Sequence, residues 1–349
     1  MTGASASPRG SEPPRVVSSE ELSAWLGRLG RCLRLIGPTG STATAVFRKV
    51  DGPQELNLSY THSHLPAGKQ FIFLPREELL RFRLKGGRYA AQEPPFEPEA
   101  QLLVGLHPCD VHALGYLDRV FHGKDPFYTR RRESTFVLAL NCREPTEWCF
   151  CASVGTGPLL EAPLGADALL TPLGDGSFIY EGFSGRLPSP RGRRLSRAWA
   201  QRKKSELQER LRGGFRRKVA PEGLDEVLLS QREHPGLVHT AEQRCLSCAN
   251  CVMVCPTCFC HEVYDEPTLE LSTIRRLRRW DACQAEEFSQ VAGGNFRASR
   301  TARLRQFLLH KLNYTEQFGC LGTVGCGRCI RWCPTGIDIT ALAGAMKGP

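Results

Sequence analysis

The 349 residues predict an α+β chain in two parts, an N-terminal α/β domain over residues 18–190 and a mainly α-helical domain over 191–349. Three observations predict it. Strand-sized apolar runs alternate with helically spaced stretches through the first half, the pattern of an α/β unit. Charged stretches with helical character dominate the second half. Two cysteine-rich runs, at 245–256 and 320–338, punctuate that half at regular spacing. With 41% hydrophobic and 23% charged residues, the composition is that of an ordinary globular protein long enough for two cores.

Taken in order, residues 1–17 are predicted as a disordered tail without the apolar segment of an export signal. Ser18 and Ser19 then precede EELSAWLGRLGRCLRLI, a predicted helix with Leu22, Trp25, Leu26, Leu29 and Leu33 on one face, stopped by Gly37-Pro38. Cys32 is expected in or beside that core. Residues 42–50, 54–60 and 69–74 read as strands, and PREELLRFRL (75–84) as a helix with Pro75 near its first position. QLLVGL (101–106) and TFVLAL (135–140) are buried-strand runs on either side of the helically spaced 110–121. Residues 169–183 form a predicted hairpin turning at Gly174-Asp175-Gly176, and 184–194 a boundary loop. Helices are expected over 195–213, 222–232, 278–288 and 299–312. No apolar run approaches a membrane span.

The chemistry concentrates in the cysteines. Cys245, Cys248, Cys251 and Cys255, followed by Pro256, stand at C-x2-C-x2-C-x3-C-P spacing, the run that ligates iron–sulfur clusters. Three thiolates two residues apart let one loop wrap three corners of a cubane, while the fourth falls on the next helical turn and serves the other cluster. Zinc needs four ligands and usually shows two separated pairs. The second run keeps Cys326, Cys329 and Cys333-Pro334, but Thr323 stands where the first Cys would be and Cys320 lies three residues earlier. By the crossing rule one [4Fe-4S] cluster takes Cys245, Cys248, Cys251 and Cys333. The other takes Cys255, Cys326, Cys329 and Cys320, with Gly322 and Gly325 giving the loop freedom to close. Ligation by the Thr323 oxygen, a three-iron cluster, or a buried Cys320 thiol remain the alternatives. Cys258, Cys260 and Cys283 are expected to pack near the first cluster.

A second concentration follows the two buried strands. Cys109, Cys142, Cys149 and Cys151 lie just past their C-terminal ends, where open α/β sheets place their sites. These four are candidate ligands of a third iron–sulfur cluster, with buried free thiols the competing reading. Sixteen cysteines grouped in C-x2-C steps without an export signal point to a reducing, cytoplasmic setting. The formal charge of +10 is concentrated in Arg runs at 130–132, 191–194, 216–218 and 275–279. No nucleic-acid-binding fold accompanies them, so they read as solvated faces or docking patches for an acidic partner. There is no Walker A motif, no G-x-S-x-G and no complete dinucleotide fingerprint around GTGP (155–158). His107, His112 and His310 read as structural or solvent-facing, and no catalytic residue is assigned.

In this order, GLHPCDVHALGYLDRVF, ALNCREPTEWCFCASVGTGP, CLSCANCVMVCPTCFCHEVYD, RRWDACQAEEFSQVAGGNF and GCGRCIRWCP resemble the iron–sulfur subunit family of cytoplasmic sulfhydrogenases (beta subunit) and anaerobic sulfite reductases (A subunit). The resemblance spans roughly residues 37–341, with KQFIFLPREELLRF matching the family's early segment. It implies a two-cluster subunit that passes electrons between a flavin- and NAD(P)H-binding partner and a catalytic subunit of hydrogenase or sulfite/sulfur reductase type. The family's cluster cysteines map onto Cys245, Cys248, Cys251, Cys255, Cys326, Cys329 and Cys333. Its C-V-G-C-G-R-C reads T-V-G-C-G-R-C here, from Thr323. The alternative function is a reductase subunit that itself reduces a small sulfur compound at a cluster in the N-terminal domain.

Overall fold

Ser18 starts the first helix as the sequence predicts: its side chain accepts from Glu21 N–H while the Glu21 carboxylate reaches back to the Ser18 N–H, satisfying two donors a helix start leaves open. The computed structural model describes residues 12–94, 96–220, 222–231, 233–313 and 315–348. β1 (Arg15–Val17), α1 (Ser19–Leu29), β2 (Arg34–Thr39), β3 (Val46–Lys49) and the single turn α2 (Lys69–Ile72) come first. A hairpin of β4 (Arg76–Lys85) and β5 (Arg88–Gln92) leads to β6 (Gln101–Leu106), α3 (Pro108–Phe121), α4 (Pro126–Glu133) and β7 (Thr135–Leu140). β8 (Ala168–Pro172), β9 (Phe178–Gly182) and β10 (Arg193–Arg194) precede α5 (Arg197–Arg212), α6 (Leu224–Ser230), α7 (Pro235–His239) and α8 (Asn250–Met253). A second hairpin, β11 (His261–Pro267) and β12 (Thr273–Trp280), and the short β13 (Gln290–Val291) and β14 (Gly294–Asn295) follow. α9 (Arg300–Leu312), α10 (Thr315–Phe318), α11 (Arg328–Arg331) and α12 (Ile339–Lys347) close the chain.

The architecture mixes helices and sheets, as expected, but the part expected to be mainly α-helical (191–349) also carries β10 to β14. An eight-stranded sheet runs in the order β10-β1-β9-β8-β7-β6-β2-β3. Its centre, β2, β6, β7 and β8, is parallel, and the remaining pairings are antiparallel. Every residue of β6 is buried, which explains its unbroken apolar run. The second sheet, β11-β12-β4-β5, is antiparallel throughout. It joins two hairpins nearly two hundred residues apart in sequence, so strand pairing ties the cysteine-rich half to the first.

Several local expectations are corrected. α1 stops at Gly30 and β2 begins at Arg34, so the helix does not run to Gly37-Pro38, and Cys32 is exposed. Residues 69–72 are helical and 76–85 a strand, the reverse of the expectation. Residues 54–60 hold part of a 3-10 turn instead of a strand. Residues 278–280 belong to β12, so no helix spans 278–288. Of the expected tail, 1–11 lie outside the described residues and Arg15–Val17 pair with β9 and β10.

Several arginines of the 130–132 and 275–279 runs are tied to carboxylates within the molecule. On β12, Arg276 pairs with Asp265 at 2.8 Å and Arg279 with Glu262 at 2.7 Å, both across the hairpin. The buried Arg278 binds Glu77 on β4 and Asp125 at the start of α4. The same Glu77 accepts from Arg131 at 3.0 Å, and Arg132 binds Asp118 at 3.1 Å. Arg278, Arg131 and Arg132 are thus internal, whereas Arg275, Arg276 and Arg279 stay at the surface, consistent with a solvated face.

Candidate metal centre

Each cysteine run builds the same local unit. In the first, Ser247 and Ala249 take positive φ of 51° and 65° on either side of Cys248, and Ala249 caps the one-turn helix α8 that carries Cys251. In the second, Gly325 and Gly327 take φ of 59° and 73° around Cys326, and Gly327 caps α11, which carries Cys329. The last cysteine closes each unit with the same bond, Cys255 N–H to Val252 O and Cys333 N–H to Ile330 O, both 3.2 Å. The units pack together through α8 and α11. Left-handed residues turn the loop tightly enough to point alternate thiols inward. Glycine is required in the second loop, where a Cβ on Gly325 would strike the Cys151 backbone and one on Gly327 the Trp148 carbonyl.

The superposition of units fixes what stands at position 323. Cys245 Sγ accepts from Ser247 N–H at 3.4 Å. Thr323 Oγ1 accepts the equivalent bond from Gly325 N–H at 3.2 Å and is buried. Cys320, expected to join Cys255, Cys326 and Cys329, has its thiol 3.8 Å from the Phe318 carbonyl and under the influence of Arg119. Gly322 is pressed against the His310 carbonyl, and its own oxygen accepts from Thr257 at 2.6 Å and Lys311 at 3.0 Å. That clamp fixes the backbone immediately after Cys320 and Leu321.

Cys245, Cys248, Cys251 and Cys333 line one cavity together with Cys329, Leu304, Phe307 and Ile337. Cys248 is exposed, and the neighbouring Leu246 is 62% exposed, so this site has an open rim. Cys255 and Cys326 are buried, and Cys329 interacts most strongly with Cys326, then Cys255, then Cys251. Cys245, Cys248, Cys251 and Cys333 thus share one cavity, and Cys255, Cys326 and Cys329 act on one another beside it. Among the described residues, no three His, Cys, Asp or Glu side chains converge as one metal ion would require. Four sulfurs around a single zinc would stand only about 3.8 Å apart; cubane corners are wider.

The electrostatics fit a buried anion at the second site. Lys311 is 2% exposed, donates to Thr257 Oγ1 at 3.0 Å, and faces Cys255, Cys258 and Tyr116. Burial works against its charge, but the Cys255 and Cys258 thiolates outweigh it and hold its pKa well above the ordinary value. Burial likewise opposes ionisation of Cys255, yet a bond from Cys258, the Lys311 ammonium and Thr257 at 3.1 Å hold that thiol well below its usual range. Lys69 is also buried, 3.4 Å from the Cys255 carbonyl and 3.8 Å from the Trp280 ring centre; burial pushes it down to about 8 against the pull of Cys258 and Cys255. A buried ammonium without a carboxylate partner is costly, and a thiolate-bound cluster supplies the missing negative charge. Neither lysine was singled out in the sequence; their only signal there is a Lys within otherwise apolar stretches, KQFIFL and FLLHKL.

Cys258 packs beside Cys255, and Cys260 beside Cys283, whose thiol bond holds Cys260 below its ordinary value. The N-terminal thiols also gather. Cys149 and Cys142 act on Cys151, Cys109 is affected by Cys326 and Cys151, and burial raises the thiols of Cys109, Cys142 and Cys151. The Cys149 thiol lies 4.0 Å from the Cys326 carbonyl, so this group adjoins the second site. Pairwise, Cys149 acts on Cys142, both act on Cys151, and Cys151 acts on Cys109. His107 is buried and stacked on Tyr60 at 4.1 Å, and His310 is buried; both are structural by placement.

Residues 244–337 match a family model described as a 4Fe-4S dicluster domain. The chain is 32% identical over 341 residues to Sulfhydrogenase 2 subunit beta of Pyrococcus furiosus, a match covering 92% of this chain and 94% of that protein. No solved structure matches. No helix among the described residues is long and apolar enough to cross a membrane.

Proposed function

The chain belongs to the family of the sulfhydrogenase beta subunits, and from that membership we propose an electron-relay subunit with two [4Fe-4S] clusters and no substrate chemistry of its own. One cluster is held by Cys245, Cys248, Cys251 and Cys333. Cys255, Cys326 and Cys329 hold the other, with the Thr323 corner favoured over Cys320 because the Gly325 N–H bond to Thr323 Oγ1 matches the Ser247 N–H bond to Cys245 Sγ. The observation that carries the reading is the pair of matching loop–helix units packed through α8 and α11. Electrons pass between a flavin- and NAD(P)H-binding partner and a catalytic redox subunit of hydrogenase or sulfite/sulfur reductase type. The open rim at Cys248 and Leu246 suits an approach by one of these partners. Iron and sulfide counted on anaerobically purified protein should give about eight of each per chain for two clusters. A colourless preparation containing zinc and no iron would sink this reading.

A second reading follows from the N-terminal thiols. Cys109, Cys142, Cys149 and Cys151 are proposed to hold a third iron–sulfur cluster beside the second site, which would raise the iron count to about twelve. A cleft bordered by Ser153, Gly157, Leu159, Arg212 and Lys218 opens next to Cys151. A small anionic sulfur compound bound there would be reduced at that cluster. The isolated protein turning over sulfite or polysulfide with a chemical reductant supports this function; inactivity toward both removes it.

A further inference from the structure

We propose that Lys311 and Thr323 make the Cys255–Cys326–Cys329 site the more oxidising of the two cluster sites, so that electrons entering at the Cys245–Cys248–Cys251–Cys333 site collect there. The inference rests on the two-cluster reading and deepens it by ordering the two potentials. Reduction adds one electron and no proton at either site: the first site loses the electron that the second gains. A site's potential therefore rises with every fixed positive charge nearby and with every negative ligand charge removed.

Both changes occur at the second site. Lys311 is fully buried on α9, and its ammonium bridges the two halves of that site, donating to Thr257 Oγ1 and to Gly322 O at 3.0 Å each. Thr257 Oγ1 is 3.1 Å from Cys255 Sγ, and Gly322 immediately precedes Thr323. Thr323 itself puts a hydroxyl where the first site has the Cys245 thiolate; with its proton retained, that corner holds one negative charge fewer. Lys69, 3.4 Å from the Cys255 carbonyl, adds in the same direction. Arg328 adds nothing net, because Asp110 neutralises it through bonds of 2.9 and 2.8 Å.

The first site is built oppositely. It carries four cysteines, and the cations seated on its backbone, Arg300 at 3.1 Å from the Cys245 carbonyl and Arg244 at 2.7 Å from the Thr335 carbonyl, are exposed residues. Water screens such a charge far more than one sealed in the interior.

The test is a redox titration of the full-length protein, purified anaerobically and followed by electron paramagnetic resonance, for the native chain, Lys311→Met and Lys311→Arg. In Lys311→Met the reduction equilibrium of the higher-potential cluster should fall at least about tenfold, 59 mV for a one-electron couple, while the other stays in place. Lys311→Arg, which keeps the charge, should restore most of the difference. Should Lys311→Met fail to fold, Thr323→Cys supplies an independent reading: the added thiolate should lower the same cluster and leave the other. Unmoved potentials in the folded variants, or equal shifts of both clusters, overturn the ordering. Absence of any iron–sulfur signal from the native chain overturns the two-cluster reading itself.

Discussion

The Arg328 guanidinium and the Asp110 carboxylate meet through two parallel bonds, 2.9 and 2.8 Å, with the arginine 2% and the aspartate 1% exposed. Arg328 also donates to the Ser63 carbonyl at 3.0 Å and to its hydroxyl. This pair couples the first turn of α3, next to Cys109, to the first turn of α11, between Cys326 and Cys329. Removing one member leaves the other charged, buried and unpaired, a loss of about 3–5 kcal/mol. Asp110→Ala should therefore unfold at markedly lower urea concentration under anaerobic conditions, and Asp110→Ala with Arg328→Met should recover part of the loss. Equal stability of Asp110→Ala and the native chain would show that the charge is satisfied elsewhere.

Cys251 lines the first cavity from α8. Cys251→Ser is expected to remove or convert one cluster and spare the other, because the thiols beyond it, Cys258 and Cys260, are already engaged with Cys255 and Cys283. Iron per chain with a resonance spectrum checks this. Loss of all iron means the clusters assemble only together, and unchanged iron removes Cys251 from the ligand set.

The central strands, α3, the 169–183 hairpin and the two cysteine units were legible because apolar runs, turn residues and thiol spacing each act locally. What was not legible depends on partners far away in sequence. PREELLRFRL offers Pro at a helix start and good helix formers, yet Arg81-Phe82-Arg83-Leu84-Lys85 alternates with period two, the signal of a half-buried strand. It is settled by Glu77 meeting Arg278 on β12, a contact no local window contains. The same holds for Cys320. Glycines 322 and 325 suggested a loop free to close, whereas Lys311 and Thr257 hold Gly322 in place from elsewhere in the chain.

His310 gives a dependence on pH. It is 8% exposed, with Tyr116 Oη 3.2 Å from its Nε2, and burial, helped by the Lys311 charge, lowers its pKa to about 4. The folded chain thus refuses a proton that the unfolded chain accepts near pH 6.5. Its contribution to stability is complete above about 6.5 and is lost as pH falls from there toward 4, on the order of 3 kcal/mol in all. Unfolding free energies measured between pH 7 and 5 should fall less steeply for His310→Gln than for the native chain. Parallel slopes would assign the acid sensitivity to other groups.

Cys320 separates two accounts of the second site. Spacing made it the fourth thiolate, in which case Cys320→Ala should produce a three-iron resonance signal on oxidation. In the folded chain its thiol lies against the Phe318 carbonyl and Arg119, whereas the hydroxyl of Thr323 occupies the position equivalent to Cys245. The backbone two residues on is held by bonds from Thr257 and the buried Lys311 to Gly322 O, and any shift that left such a buried donor unsatisfied would cost about 1–3 kcal/mol, more for a charged group. Cys320→Ala is therefore expected to keep the native iron content and an unchanged spectrum. Thr323→Ala, which deletes the hydroxyl at the corner itself, should alter the spectrum of one cluster. The reverse result, a three-iron signal from Cys320→Ala with Thr323→Ala silent, would return Cys320 to the ligand set.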